Sequence, residues 1–126
     1  MKLETDLHRA KGLGSAKKGV GHWIAQRATA VALIPLGILF VGTFLMLVFA
    51  PFDQARLLLS SPWVVIVTIL FIVALFYHGC LGMQVIWEDY ISHEGTRWAL
   101  VLGTKFLGVF ISLLSIISLL KVYLSA

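Results

Sequence analysis

The chain has 126 residues, of which 60% are hydrophobic and 13% charged, and it carries a net charge of +4. So few charges cannot solvate a soluble domain of this size, so lipid is the expected solvent. A single cysteine, Cys80, excludes an internal disulfide and any zinc or iron–sulfur site built from this chain's cysteines alone.

Residues 1–27 read as an interfacial N-terminal segment, in which Gly12, Gly14, Gly19 and Gly21 punctuate a stretch holding Lys17 and Lys18. That punctuation predicts turns and no stable core. Lys2, Arg9, Lys11, Lys17, Lys18 and Arg27 all precede the first long apolar run, a pattern of membrane-side addressing rather than nucleic-acid binding. Trp23 and Arg27 are spaced to share a helix face. That leaves Arg27 available to an anionic group, by default a lipid phosphate.

Residues 28–126 read as a transmembrane domain of three helices. The uncharged run 28–50 is about 34 Å long as a helix and covers a hydrocarbon core of about 30 Å. Its length and the poor cleavage site at Val48-Phe49-Ala50-Pro51 argue for a retained span rather than a signal peptide. Pro35 is a candidate kink and Gly37 a packing position. A loop follows, marked by Pro51, Asp53, Gln54, Arg56 and Ser60-Ser61-Pro62. The second span, 62–87, would be about 39 Å long and must tilt or project beyond the hydrocarbon. Glu88 to Arg97 forms the second loop, and the third span, 98–120, contains one charge, Lys105, placed to snorkel to the nearer interface. Trp23, Trp63, Trp87 and Trp98 sit where aromatic belts are expected. The N-terminal segment and the second loop together hold seven basic residues, six plus Arg97, against Arg56 in the first loop and Lys121 at the C-terminus, so the N-terminus and second loop face the cytoplasm or its mitochondrial equivalent.

His78 lies nine residues from Trp87, about 13 Å below that interface, and an imidazole at this depth needs a partner. Ala74 and Gly82 share its face and Gly79 adjoins it, which clears the backbone for a second helix or for a flat macrocycle. Both uses stay open: a hydrogen bond across a helix interface to Ser or Thr, or ligation of haem iron. Haem would need a second axial ligand from another chain, because His8, His22 and His93 lie outside the spans and Met46 is roughly twice as deep. Asp89 follows His78 by three turns, about 16 Å toward the surface, and shares its face if the helix continues. The pair Asp89-Tyr90 therefore reads either as a proton-exchanging mouth above the histidine or as the polar edge of a loop with an interfacial tyrosine.

The segments Gly12-Leu-Gly-Ser-Ala-Lys17 and His22-Trp23-Ile-Ala-Gln26-Arg27-Ala28-Thr29-Ala30 resemble the N-terminal signature of the succinate dehydrogenase hydrophobic membrane anchor. The stretch from His78 through Gly82 and Met83 to Glu88-Asp89-Tyr90 is similar to that family's second signature, a histidine followed at fixed spacing by Asp-Tyr. The resemblance implies a subunit that catalyses nothing alone. It would pair in the bacterial inner membrane, or the mitochondrial inner membrane, with a cytochrome b subunit and dock an iron–sulfur and a flavoprotein subunit. It further implies that His78 is one axial ligand of a haem b shared with the cytochrome b subunit and that Arg27 lies near the haem propionates. Tyr90 and Asp89 would bind ubiquinone, linking the tricarboxylic acid cycle to electron transport. Two other readings share the three spans: a small proton or solute transporter, which the lack of an intramembrane carboxylate or inverted repeat disfavours, and a structural anchor without haem.

Overall fold

The computed structural model describes Leu7 and residues 19–125, so the Gly12–Lys17 part of the first signature lies outside the described residues. Four helices follow one another along the rest of the chain: α1 (Gly19–Phe49), α2 (Phe52–Leu59), α3 (Pro62–Tyr90) and α4 (Glu94–Ser125). Three of these, α1, α3 and α4, are long and apolar enough to cross a membrane, as the composition requires.

Each long helix exceeds its expected span. The α1 helix begins at Gly19 rather than near Ala28, which places Gly19 and Gly21, expected in turns, in its first turn. Charge at Arg27 ends a hydropathy run without ending a helix: the i to i−4 bonds continue, and the guanidinium reaches outward over the Trp23 ring at 5.7 Å. Helix α3 runs on through Glu88 and Asp89 to Tyr90, and Ile91 closes it with an N–H bond to the Trp87 carbonyl. Helix α4 starts at Glu94, where His93 acts as N-cap: its Nδ1 accepts the Thr96 backbone N–H at 3.2 Å. The glycine-bearing start of α4 is thus held by a side chain that the loop reading passed over.

The expected first loop is also corrected. Phe52–Leu59 is a short helix entered from Pro51, with Ala55, Leu58 and Leu59 half-buried on one side and Asp53, Gln54 and Arg56 exposed. Its Arg56 Nη2 donates to the Ser125 carbonyl at 3.0 Å, tying α2 to the last turn of α4. A cation there also suits the negative end of that helix.

Helix α3 is the centre of the molecule: α1 packs along one side of it and α4 along another. On the α1 side, Phe40 and Phe71 stack with centroids 4.3 Å apart, and Gly37 lies against Phe71. On the α4 side, Trp87 Nε1 donates to Thr104 Oγ1 at 3.0 Å, Cys80 Sγ lies 3.6 Å from the Thr104 carbonyl, and Gly108 is buried beside Cys80. Trp87 is therefore a helix-joining residue, whereas Trp23, Trp63 and Trp98 remain exposed as belt residues do. Among the described residues only Val65, Leu81 and Val101 are buried large hydrophobics, and long apolar surfaces on α1, α3 and α4 face outward.

Candidate functional site

At about 100° per residue, positions 74, 78, 82 and 89 of α3 fall within one third of the helix circumference. Helix α3 continues to Tyr90, so the condition for Asp89 to stand above His78 is met, at about 16 Å along the axis. Both Asp89 and Tyr90 are exposed at the helix end, Tyr90 at 81%. One residue further on, Tyr90 leaves the helix about 100° around from Asp89, so the two side chains diverge at the surface.

His78 is half-buried, and its Nδ1 lies 2.9 Å from Thr29 Oγ1 of α1. The partner type expected for a histidine bonded across a helix interface is thus the one present. Four residues along α3 from His78, Gly82 faces the Gln26 side chain: a Cβ added there would lie 3.6 Å from Gln26 Nε2. Gln26 and Thr29, three apart on α1, therefore meet Gly82 and His78, four apart on α3, in one antiparallel register. His22 continues this polar row one turn earlier, and His22 Nε2 and Gln26 Oε1 are buried with no hydrogen-bond partner among the described residues.

The α3 surface next to His78 is open. A Cβ added at Gly79 would meet nothing within 4 Å, and Leu75, Gly79 and Ile86 form an exposed strip beside the histidine that neither α1 nor α4 covers. Ala74 is half-buried on the same side as His78. Arg27 does not join this group within the chain: it is two residues, or about 200°, around α1 from Thr29, and it is exposed over Trp23.

A separate cleft of about 640 Å³ lies between α1 and α4 with α3 as its floor, lined among others by His22, Tyr77, Gln84, Lys105 and Ser112. Its α3 residues sit roughly 130° around the helix from His78, so cleft and histidine open on different sides. His22, placed outside the spans by sequence, belongs to the helix and to this cleft.

Among the described residues no three His, Cys, Asp or Glu side chains converge as a metal site. Haem does not need such a cluster, because the macrocycle supplies the equatorial nitrogens and a chain contributes one axial donor. A histidine bonded through Nδ1, with an uncovered apolar strip beside it, fits that single-donor role.

The family described as succinate dehydrogenase/fumarate reductase transmembrane subunit matches residues 1–117 of the chain. The chain belongs to this family. Among curated relatives, the succinate dehydrogenase hydrophobic membrane anchor subunit of Rickettsia bellii (strain RML369-C) is 31% identical over 85% of this chain and 86% of its own length. Anchor subunits of the same name from Rickettsia conorii (strain ATCC VR-613 / Malish 7) and Paracoccus denitrificans are 31% and 30% identical, over 79% and 86% of this chain and 80% and 83% of theirs. No solved structure matches. The relatives are membrane anchors of succinate dehydrogenase, and this anchor has their multi-pass character in its three long apolar helices. The sequence singles out His78, Asp89 and Tyr90 but gives no sign of Thr29 and Gln26 as facing residues, although both stand in the N-terminal signature. Only the register of α1 on α3, which the sequence does not print, pairs them with His78 and Gly82.

Proposed function

We propose that this chain is the hydrophobic anchor of a succinate:quinone oxidoreductase, that it gives His78 as one axial ligand to a haem b shared with a cytochrome b subunit, and that it gives Tyr90 and Asp89 to the ubiquinone site. The observation that carries the reading is the state of His78. One ring edge is tied to Thr29, and the neighbouring strip of Leu75, Gly79 and Ile86 is left uncovered by the chain's own helices. The cytochrome b subunit belongs on that strip. Haem, when bound there, supplies a one-electron redox centre within the membrane.

The six basic residues of the N-terminal segment, with Arg97 near the second loop, support a cytoplasmic position for the Tyr90 end of the bundle, where the iron–sulfur and flavoprotein subunits dock. Ubiquinone reduction consumes two electrons and two protons. The electrons come from succinate, oxidised at the flavin of another subunit. Tyr90, exposed at the end of α3, donates a hydrogen bond to a quinone carbonyl oxygen, and Asp89 beside it exchanges protons with water. Arg27 meets an anionic group at the surface, a propionate in this reading, and lipid covers the remaining apolar faces.

Tyr90→Phe in the intact complex tests the quinone assignment. Quinone reduction is expected to fall about tenfold or more while succinate oxidation by an artificial acceptor is unchanged. Equal loss of both activities in an assembled complex overturns it. A second reading is favoured by the Thr29 bond itself, which satisfies one ring nitrogen without any cofactor: His78 then only joins α1 to α3. A reduced-minus-oxidised spectrum of the purified complex separates the two, since a complex without a b-type band leaves His78 structural.

A further inference from the structure

We propose that Thr29 is the positioning residue of His78: its hydroxyl fixes the imidazole in the tautomer that presents a bare Nε2 to the strip of α3 left uncovered by this chain. The inference rests on the haem assignment above and adds to it a role for a residue of α1.

A threonine hydroxyl has a single hydrogen to donate and two lone pairs to accept with. Thr29 Oγ1 lies 2.7 Å from the carbonyl oxygen of Ala25, four residues back on α1, and 3.2 Å from that of Gln26. Carbonyl oxygens only accept, so the hydroxyl hydrogen is directed to Ala25, the usual back-bond of threonine in a helix. The contact of Oγ1 with His78 Nδ1 at 2.9 Å must then run the other way, with Nδ1–H donating. A neutral imidazole carries one N–H, so Nε2 is left with its lone pair, the form a metal requires.

Ring geometry completes the step. The two nitrogens of imidazole face nearly opposite directions, so a ring whose Nδ1 is aimed at α1 aims Nε2 away from it. The next residue on α3, Gly79, is exposed and adds no side chain beside the ring. Both bonds of Thr29 end in rigid groups, the α1 backbone and a ring half-buried between helices. Rotation of His78 about its side chain therefore costs the Nδ1 bond. Metal-ligating histidines commonly have their other nitrogen held in this way, and loss of the holding group typically weakens the metal about 10–100-fold.

The test uses the intact, purified complex with Thr29→Val, which keeps the shape and removes the hydroxyl, Thr29→Ser, which keeps the hydroxyl, and His78→Ala. The valine complex is expected to hold haem about 10–100-fold more weakly, read as b-type haem per flavin after washing with a competing haem binder. Haem that remains should have a raised midpoint potential, because Nδ1 no longer donates and the ligand becomes a poorer electron donor to iron. The serine complex should match the wild type in both. Wild-type haem retention and potential in the valine complex would overturn the inference while leaving the haem assignment standing. A wild-type complex without a b-type band, or a His78→Ala complex that keeps it unchanged, overturns the haem assignment itself. If the valine complex does not assemble, Thr29→Ala, which cannot crowd the interface, replaces it. Failure of both when His78→Ala assembles shows that Thr29 serves packing alone and overturns the inference; if all three fail, the serine complex decides, wild-type haem retention and potential supporting the inference and a raised potential overturning it.

Discussion

His78 illustrates how one side chain can be satisfied and still be available. Its Nδ1 is bonded to Thr29 at 2.9 Å, and the open space beside Gly79 leaves the rest of the ring edge for another molecule. A bulky side chain at position 79 is accordingly expected to act without touching either helix of its own chain. Gly79→Leu should leave the fold of this subunit intact, since nothing within 4 Å opposes the new Cβ, yet under the proposed function it should remove the proposed haem band or the proposed cytochrome b subunit. Spectra and subunit composition of the purified membrane complex check this. A complex of normal composition and normal spectrum would show that this strip faces lipid. Gly82 is a different case, because an added Cβ would meet Gln26 Nε2 at the ordinary contact distance of 3.6 Å. The sequence makes the need for a partner at His78 legible, because depth alone dictates that an imidazole be bonded or coordinated, and a Ser or Thr hydroxyl was one of the two kinds it left open. Which hydroxyl was not legible, since the register between two antiparallel helices depends on Phe40 stacking on Phe71 and on the fit of Gln26 to Gly82.

Helices α3 and α4 are joined by a short ladder of contacts whose energies can be ranked. The Trp87–Thr104 hydrogen bond, at 3.0 Å, stabilises the pair by about 0.6 kcal/mol, the typical value between membrane helices. Close backbone approach at Gly108 matters more, because a Cβ built there would lie 2.5 Å from Cys80 Sγ. Gly108→Ala is therefore expected to destabilise the α3–α4 interface by about 1–3 kcal/mol. The paired change Cys80→Ala with Gly108→Ala should recover most of that loss by removing the sulfur. Thermal stability of the two variant complexes in one detergent measures it; an additive rather than compensating pair would place the clash elsewhere. Three spans were legible because hydropathy and length both demand them. The extension of α1 back to Gly19 was not, because Arg27 and two glycines interrupt the apolar pattern while leaving backbone hydrogen bonding untouched. The eight-residue α2 was hidden for the opposite reason. Prolines and serines bracket it, and its apolar side is only Ala55, Leu58 and Leu59, too brief a period to separate from a loop.

The described residues form no core of the kind that holds a soluble domain together. Val65, Leu81 and Val101 are the buried large hydrophobics among the described residues, while side chains such as Phe49, Phe106 and Leu124 are more than 70% exposed. In lipid that exposure costs nothing, since lipid tails are as apolar as the side chains, and the helices are held together by packing and by bonds such as those at Thr29 and Thr104. Secondary structure and tertiary packing should therefore separate when the subunit is removed from its complex. Helices α1, α3 and α4 satisfy their own backbone groups and are expected to persist in detergent, as far-UV circular dichroism would show. The α1–α3 register is expected to loosen, because His78 and its neighbouring strip then lose whatever covers them. Cysteines placed at Gln26 and Gly82, in a chain with Cys80→Ala, report on that register through disulfide formation. Cross-linking should be efficient and specific in the complex, and slower, with competing pairs, in the isolated subunit. Equal rates and equal specificity in both would mean that this chain's own contacts are sufficient to set the register, and that the partner subunit arrives at a site already built.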